Sequence, residues 1–127
     1  MVKPKVYIYA SYYYPMISKH HLIELNESIG ENGQIINESS LLFILDYANN
    51  NIKTELKRTA YLISNIINQH IFLDGNKRVC CLLLIEYFER NKVLYINKKI
   101  SRICISISKN NIKDLRKIKF MIKNAIK

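Results

Sequence analysis

Residues 70–78 read His70-Ile71-Phe72-Leu73-Asp74-Gly75-Asn76-Lys77-Arg78, and apolar segments with helical spacing flank this nonapeptide on both sides. The stretch places an imidazole, a carboxylate, a glycine turn and two cations within nine positions. A carboxylate can hold a hard cation, glycine lets backbone amides face an anion, and the cations neutralise charge. This combination predicts a turn between two helices that is suited to phosphate chemistry.

Apolar periodicity on both sides of this stretch predicts two helices that are packed into a core. Upstream, a stripe at helical spacing indicates a helix over about residues 52–68 and consists of Ile52, Leu56, Ala60, Ile63 and Ile67. Downstream, residues 76–90 are predicted to be helical, and the run 79–85 is apolar on all sides, which is typical of a buried central helix. The turn is therefore expected to be held at both ends, with Phe72 packed into the core.

The part of the chain before residue 37 predicts a helix followed by a small flap. Ser18 is a suitable N-cap for a helix that stops at Gly30. Asn32-Gly33 is a strong hairpin signal, and Ile35-Ile36 favour an extended backbone. The first 17 residues are rich in tyrosine. We expect these rings to pack at an interface or over the core, and stacking on nucleic-acid bases is the alternative.

The remaining segments complete an all-helical prediction. A helix capped by Asn37 or Ser39 is expected to run to Ala48 and to be broken by the asparagine run at 49–51. Two segments follow the motif: 97–108, whose isoleucines also alternate as in a strand, and 111–127, which has helical spacing. The expected fold class is all-α, a compact helical bundle with a small β-hairpin flap, forming one domain over the whole chain.

Composition points to an ordinary globular protein. The chain has 127 residues, of which 49% are hydrophobic and 24% charged, so a folded core is expected and disorder is not. The longest apolar run is too short to span a bilayer, and the N-terminus lacks a signal-peptide layout. We therefore expect a soluble, cytoplasmic protein with no membrane partner.

The spacing of the cysteines and the net charge indicate which kinds of site and partner are expected. The three cysteines, Cys80, Cys81 and Cys104, have no metal-ligand spacing and are expected to be small buried hydrophobes. The formal net charge of +10 indicates a nucleotide, a nucleic acid or an acidic protein as the partner. Lysine-rich composition alone also produces such a charge.

The residue types in the nonapeptide match the parts needed for phosphoryl-type transfer. His70 supplies an imidazole, which can take a proton from an attacking hydroxyl. Asp74 can hold Mg²⁺, which prefers one or two carboxylates together with phosphate oxygens. Lys77 and Arg78 stand at a helix N-terminus, where two cations are misplaced by about 0.3–1 kcal/mol each unless an anion binds there.

The string resembles the signature of the Fic/Doc family, and its Asp-Gly-Asn-Lys-Arg ending is similar to the Doc (death-on-curing) branch. The similarity is strongest across residues 52–90 and looser over residues 17–45. It implies a helical bundle of the Fic/Doc type and an enzyme that uses ATP and Mg²⁺. An inactive relative that binds a regulator or a nucleic acid through its basic surface is a further alternative.

The resemblance also implies roles for individual residues. His70 corresponds to the general base for a hydroxyl of the target protein, and Asp74 to the residue that holds Mg²⁺. The nucleotide phosphates would be bound by the turn and the first residues of the next helix, namely Gly75, Asn76, Lys77 and Arg78. The flap would align the target segment by backbone pairing, through Gln34, Ile35, Ile36 and Asn37.

Two departures from the Fic pattern favour the Doc branch. Fic adenylyltransferases read Gly-Asn-Gly-Arg-x-x-Arg, whereas this chain has Lys77 at their second glycine and Cys81 at their second arginine. Both differences favour transfer of a phosphoryl group to a Ser/Thr hydroxyl, as in Doc toxins that modify elongation factor Tu and halt translation. Gly75 is shared with Fic, so AMP transfer (AMPylation) is the alternative.

The resemblance suggests a regulatory partner. Fic proteins often carry an inhibitory helix with the pattern Ser/Thr-x-x-x-Glu-Gly/Asn, and the nearest segment here, 27–32, begins with Glu27. The sequence therefore predicts no internal inhibitor and implies a small antitoxin protein in trans. The basic C-terminal helix could contact such an acidic partner, or it could simply be solvated. Direct binding to nucleic acid is not expected.

Overall fold

The computed structural model describes residues 15–127, which form six α-helices joined by short loops. The helices are α1 (Lys19–Ser28), α2 (Glu38–Asn51), α3 (Glu55–Asn68), α4 (Asn76–Arg90), α5 (Asn97–Asn110) and α6 (Leu115–Lys123). The predicted all-α fold is confirmed. The N-terminal tyrosines and the start of the predicted single domain lie outside the described residues.

Helices α3 and α4 form the centre of the bundle and carry the 69–75 loop between them. Helix α4 packs against α1, α3 and α5, while α3 also contacts α2 and α6. Helix α4 has the bounds that the sequence predicts, and Val79, Cys80, Leu83 and Leu84 of its apolar run are buried. Phe72 is completely buried, as predicted, so the loop is fixed to the core.

Local capping explains where α1 and α3 begin. Ser18 caps α1 by accepting a hydrogen bond from His21 N at 3.0 Å, as predicted. Thr54 caps α3 in the same way, so α3 begins about three residues later than the apolar stripe suggested. The ambiguous segment 97–110 is helical because its buried residues, Ile100, Ile103, Cys104 and Ile107, recur at helical spacing.

The asparagine run does not break α2, and this prediction was wrong. The helix continues through Asn51 because the first two asparagines find hydrogen-bond partners. The Asn49 side chain accepts from Ile17 N and donates to Ile17 O, and the Asn50 side chain donates to Asp46. Side-chain bonding of this kind compensates for the low helix propensity of asparagine.

The flap is present as an extended loop, not as the predicted β-hairpin. Ile35 forms an isolated antiparallel bridge with Phe72 in the motif loop. Gly33 has a positive φ of 73°, and the Asn32 side chain accepts from Gln34 N, so the Asn-Gly turn is local. The strand partner is supplied from the 69–75 loop, and the flap is therefore attached directly to the motif.

The cysteines are unpaired thiols, of which Cys80 and Cys104 are buried and Cys81 is half-buried. None of the helices within residues 15–127 combines the length and apolar character needed to cross a membrane.

Candidate active site

The motif loop and the start of α4 line one side of a cleft of about 320 Å³. All six motif residues predicted for catalysis and for nucleotide and metal binding lie on this cleft: His70, Asp74, Gly75, Asn76, Lys77 and Arg78. Its other walls come from Glu31, Ile67 and Ser108. The volume is at the lower end of the range for small-molecule sites, which suits a phosphate chain.

His70 holds an uncommon backbone conformation. Its φ is 50°, in the left-handed region that usually takes glycine. The residue closes α3 with the hydrogen bonds of a Schellman motif, from His70 N to Ile67 O and from Ile71 N to Ile66 O, both at 3.3 Å. Its side chain is exposed to the cleft. Backbone strain of this kind is typical of functional sites, and here it places an exposed imidazole at the cleft.

Asn76 fixes the shape of the motif loop. Its carboxamide accepts from Phe72 N and donates to Phe72 O, both at 2.9 Å, and the residue is buried. The side chain is therefore occupied inside the protein. What Asn76 offers to a phosphate is its backbone N–H at the start of α4.

The N-terminus of α4 presents donors to the cleft. Gly75 is the N-cap with φ 85°, and it has no side chain that could cap the helix. Within the described residues, no hydrogen bond is recorded for the backbone N–H groups of Asn76, Lys77 and Arg78. Free N–H groups and the positive end of the helix dipole attract an anion. The exposed side chains of Lys77 and Arg78 add two positive charges at the same end.

Asp74 is the carboxylate of the motif, and its side chain is exposed at the cleft. No cluster of three or more metal-ligating side chains occurs within residues 15–127. A single carboxylate fits Mg²⁺ better than zinc, because Mg²⁺ is commonly bound by one or two carboxylates, water and the phosphates of the substrate. The donor set is therefore compatible with a Mg²⁺–nucleotide pair.

The loop that follows α1 forms a wall of the cleft, which the sequence did not reveal. The Glu31 carboxylate lies 2.7 Å from Arg78 Nη2, and Arg78 Nη1 donates to Ile29 O at 3.3 Å. Glu31 is the fifth residue of the segment that resembles the inhibitory pattern. Sequence reasoning set this segment aside because of its first position, yet its carboxylate holds the arginine of the motif.

Asn26 links α1, the flap and the motif loop, and the sequence did not predict this role either. This buried residue of α1 donates from Nδ2 to Asp74 O and accepts at Oδ1 from Gly33 N, both at 2.8 Å. Gly75 packs closely against the same region, because a Cβ at that position would lie 3.0 Å from side-chain atoms of Asn26, Ile29 and Glu31. The signal that could have identified Asn26 is an asparagine at a position that helical spacing assigns to the buried face of α1.

The predicted flap residues lie beside the motif loop, and one of their edges is open. Leu73 N donates to Gln34 O at 3.0 Å, and Ile36 N donates to Ile71 O at 2.9 Å. The Asn37 side chain donates to Gln69 O. Because hydrogen bonds alternate along an antiparallel pair, the N–H and C=O of Ile35 face the opposite edge. No hydrogen bond is recorded for them within the described residues.

Cys81 is not one of the residues that line the cleft. Its thiol is hydrogen-bonded to Cys104 of α5, and this bond lowers the pKa of Cys81, while the same bond and burial raise that of Cys104. The position at which Fic enzymes carry their second arginine therefore supplies no cation here.

The comparison with protein families agrees with the motif. No curated protein and no solved structure matches the chain significantly. Residues 35–88, from the flap to the end of the apolar part of α4, match the model of the Fic/DOC family, whose members generally transfer nucleotide-derived groups to proteins.

Proposed function

We propose that this chain is a Doc-like enzyme that transfers a phosphoryl group from ATP to a Ser or Thr hydroxyl of a protein target. The observation that carries the proposal is the arrangement of the cleft, where His70, Asp74 and the free N-terminus of α4 lie beside an open flap edge. A protein of the translation machinery, such as elongation factor Tu, is the proposed target, and a small antitoxin protein the proposed partner in trans.

Each residue of the cleft has its own role in the proposed reaction. The imidazole of His70 accepts the proton of the target hydroxyl as that oxygen bonds to the γ-phosphorus of ATP, while the bond from this phosphorus to the β,γ-bridging oxygen breaks and ADP leaves. The N–H groups at the start of α4, with Lys77 and Arg78, bind the nucleotide phosphates and their developing charge. Asp74 would hold Mg²⁺, which neutralises phosphate charge. Because the catalytic parts are positioned by buried groups, catalysis rests on placement and electrostatics.

The flap supplies the geometry for the target. An extended peptide can add as a strand to the open edge of residues 34–37, with hydrogen bonds to the N–H and C=O of Ile35. Backbone pairing of this kind fixes the register of the target without reading its side chains. The target hydroxyl would thereby be held next to the motif loop, to which the flap is bonded.

The second candidate is AMP transfer, which Gly75 favours because Fic enzymes have glycine there. Lys77 in place of their second glycine favours phosphoryl transfer. Cys81 favours it as well, since this thiol bonds to Cys104 and adds no cation to the cleft. A non-enzymatic role is the third candidate, and the intact His70 and Asp74 argue against it.

Two labelled nucleotides distinguish these candidates. The protein is incubated with a cell lysate and Mg²⁺, together with ATP labelled at either the γ or the α phosphate. Phosphoryl transfer labels a target protein from γ-labelled ATP only, and AMP transfer from α-labelled ATP only. Absence of labelling from both would support the non-enzymatic role.

His70→Ala tests whether the label depends on this cleft. We expect the variant to abolish labelling while its unfolding curve stays close to that of the parent. Lys57→Ala, which removes an exposed cation on α3, is the matched control and should label normally. Unchanged labelling by His70→Ala would remove His70 from the mechanism.

The antitoxin is tested by expression. The chain should arrest growth when expressed alone, and co-expression of a small acidic protein encoded beside it should relieve the arrest. Arrest that persists in His70→Ala would separate toxicity from catalysis and count against the enzyme.

A further inference from the structure

The net positive charge of this protein comes from its C-terminal part. Residues 92–127 contain 11 of the 20 Lys and Arg residues but only one of the ten Asp and Glu residues, Asp114. Residues 1–91 are balanced, with nine of each sign, so the whole net charge of +10 comes from the last 36 residues. A uniform lysine-rich composition would have spread this charge along the chain.

Helix α5 presents part of this charge as a straight exposed stripe. Lys98, Arg102 and Lys109 are separated by four and seven positions, so they lie on one face, and all three are exposed. Ile105 completes the same face and is 54% exposed. The opposite face of α5 is buried in the core. The stripe therefore projects outward along the full length of the helix.

Helix α6 presents a second cationic face with an aromatic ring at its centre. Arg116, Lys119 and Lys123 lie around Phe120, whose side chain is 64% exposed. Within residues 15–127, the only ion pair of this face joins Arg116 to its neighbour Asp114, at 4.0 Å. Among the described residues, the other cations of this face have no acidic partner, and a large apolar ring remains in water beside them.

The two faces meet at one end of the bundle. Tyr95, just before α5, forms an antiparallel bridge with Ile126, just after α6. Lys99 Nζ donates to Asn124 O at 2.9 Å. The start of α5 and the end of α6 are thereby bonded together, which places Lys98 and Lys123, one from each face, at the same end of the bundle.

We propose, contrary to the expectation from the family resemblance, that this surface, formed by the exposed faces of α5 and α6, binds single-stranded nucleic acid. The cations of the two faces contact phosphates along the strand, and Phe120 stacks on an unpaired base. An exposed ring surrounded by cations fits this partner better than an acidic protein or a duplex. A duplex offers phosphates but keeps its bases paired, and the carboxylates of an acidic protein would meet the cations without requiring an exposed ring among them. This activity differs from the proposed transfer and uses none of the residues that line the cleft.

Fluorescence anisotropy with a labelled 20-nucleotide uridine RNA tests the proposal at several salt concentrations. Arg102→Gln combined with Lys109→Gln removes two cations of the stripe and should reduce the slope of log K against log salt by about 1.4. Lys53→Gln combined with Lys57→Gln removes the same charge from two exposed positions, one just before α3 and one in its first turn, and should leave the slope unchanged. Equal effects of the two double variants would overturn a specific surface.

Phe120→Ala tests the stacking contact. It should weaken RNA binding at least about fivefold with an unchanged salt slope, because it removes a ring and no charge. Single-stranded DNA of the same length should bind similarly, and duplex DNA more weakly. The proposal is overturned if Phe120→Ala has no effect, or if polyglutamate or anionic vesicles compete better than RNA. His70→Ala should bind RNA normally, which keeps this test independent of the transfer activity.

Discussion

His70 carries a conformational cost that glycine would not. Its φ of 50° lies in the left-handed region, which costs an L residue roughly 1–2 kcal/mol relative to the right-handed one. Glycine avoids this cost but loses more backbone entropy on folding, by roughly 0.5–1 kcal/mol. The difference predicts that His70→Gly is more stable than His70→Ala by about 0.5–1 kcal/mol. Both variants lack the imidazole, and neither should transfer a label.

Urea unfolding followed by circular dichroism measures this difference. The midpoint of His70→Gly should lie above that of His70→Ala with an equal m-value, because the same surface is exposed on unfolding. In thermal unfolding, the expected gain in Tm is roughly 2–5 °C for a domain of this size. The imidazole itself is exposed, so its removal should contribute little to either value.

Gln69, the preceding residue, supplies the matched control. Its φ is −97°, and it caps α3 without left-handed backbone. Here Gln69→Gly should be less stable than Gln69→Ala, so the order of glycine and alanine reverses between adjacent positions. If His70→Gly proved no more stable than His70→Ala, the left-handed conformation would not be a strained one, and this argument for a functional histidine would fail.

The remaining predictions concern the cover of the cleft and one thiol. Glu31→Gln should raise ATP affinity by up to about fivefold in calorimetry, because an exposed ion pair contributes about 0–1 kcal/mol, whereas Glu24→Gln on the outer face of α1 should not. Gly75→Ala should lower the urea midpoint more than Gly30→Ala, since both positions have positive φ but only Gly75 has neighbours at 3.0 Å. Iodoacetamide at pH 8 should modify Cys81 before the two buried cysteines, because a hydrogen bond lowers the pKa of Cys81, and peptide mass spectrometry reads the order.

Local signals in the sequence account for the parts of the fold that were predicted. The bounds of α4 follow from Gly75 and from the apolar run that begins at Val79, which are neighbours in the chain. The Ser18 cap is equally local. The end of α2 was misplaced because propensity favours a break at the asparagines, while bonds to Ile17 and Asp46 favour the helix. Tertiary bonding overrides propensity in such cases.

The candidate site also contains local features that the sequence predicts and distant contacts that it does not. The motif residues could be predicted because nine consecutive positions contain them. The pairing of Ile35 with Phe72 could not, since an Asn-Gly turn indicates a hairpin and says nothing of a strand partner 37 positions away. The contacts of Asn26 and Glu31 with residues nearly fifty positions later are of the same kind, because the packing of α1 on α4 creates them.

These two contacts differ in strength, and the difference determines how a nucleotide can enter. Asn26 is buried and bonds two backbone groups, so breaking its bonds would leave buried polar groups unsatisfied at about 1–3 kcal/mol each. The pair of Glu31 with Arg78 is partly exposed and contributes no more than about 1 kcal/mol. Rotation of the Glu31 side chain therefore releases Arg78 at a lower cost than any movement of α1. Phosphates can then bind at the start of α4 while Asn26 keeps the flap and the motif loop in register.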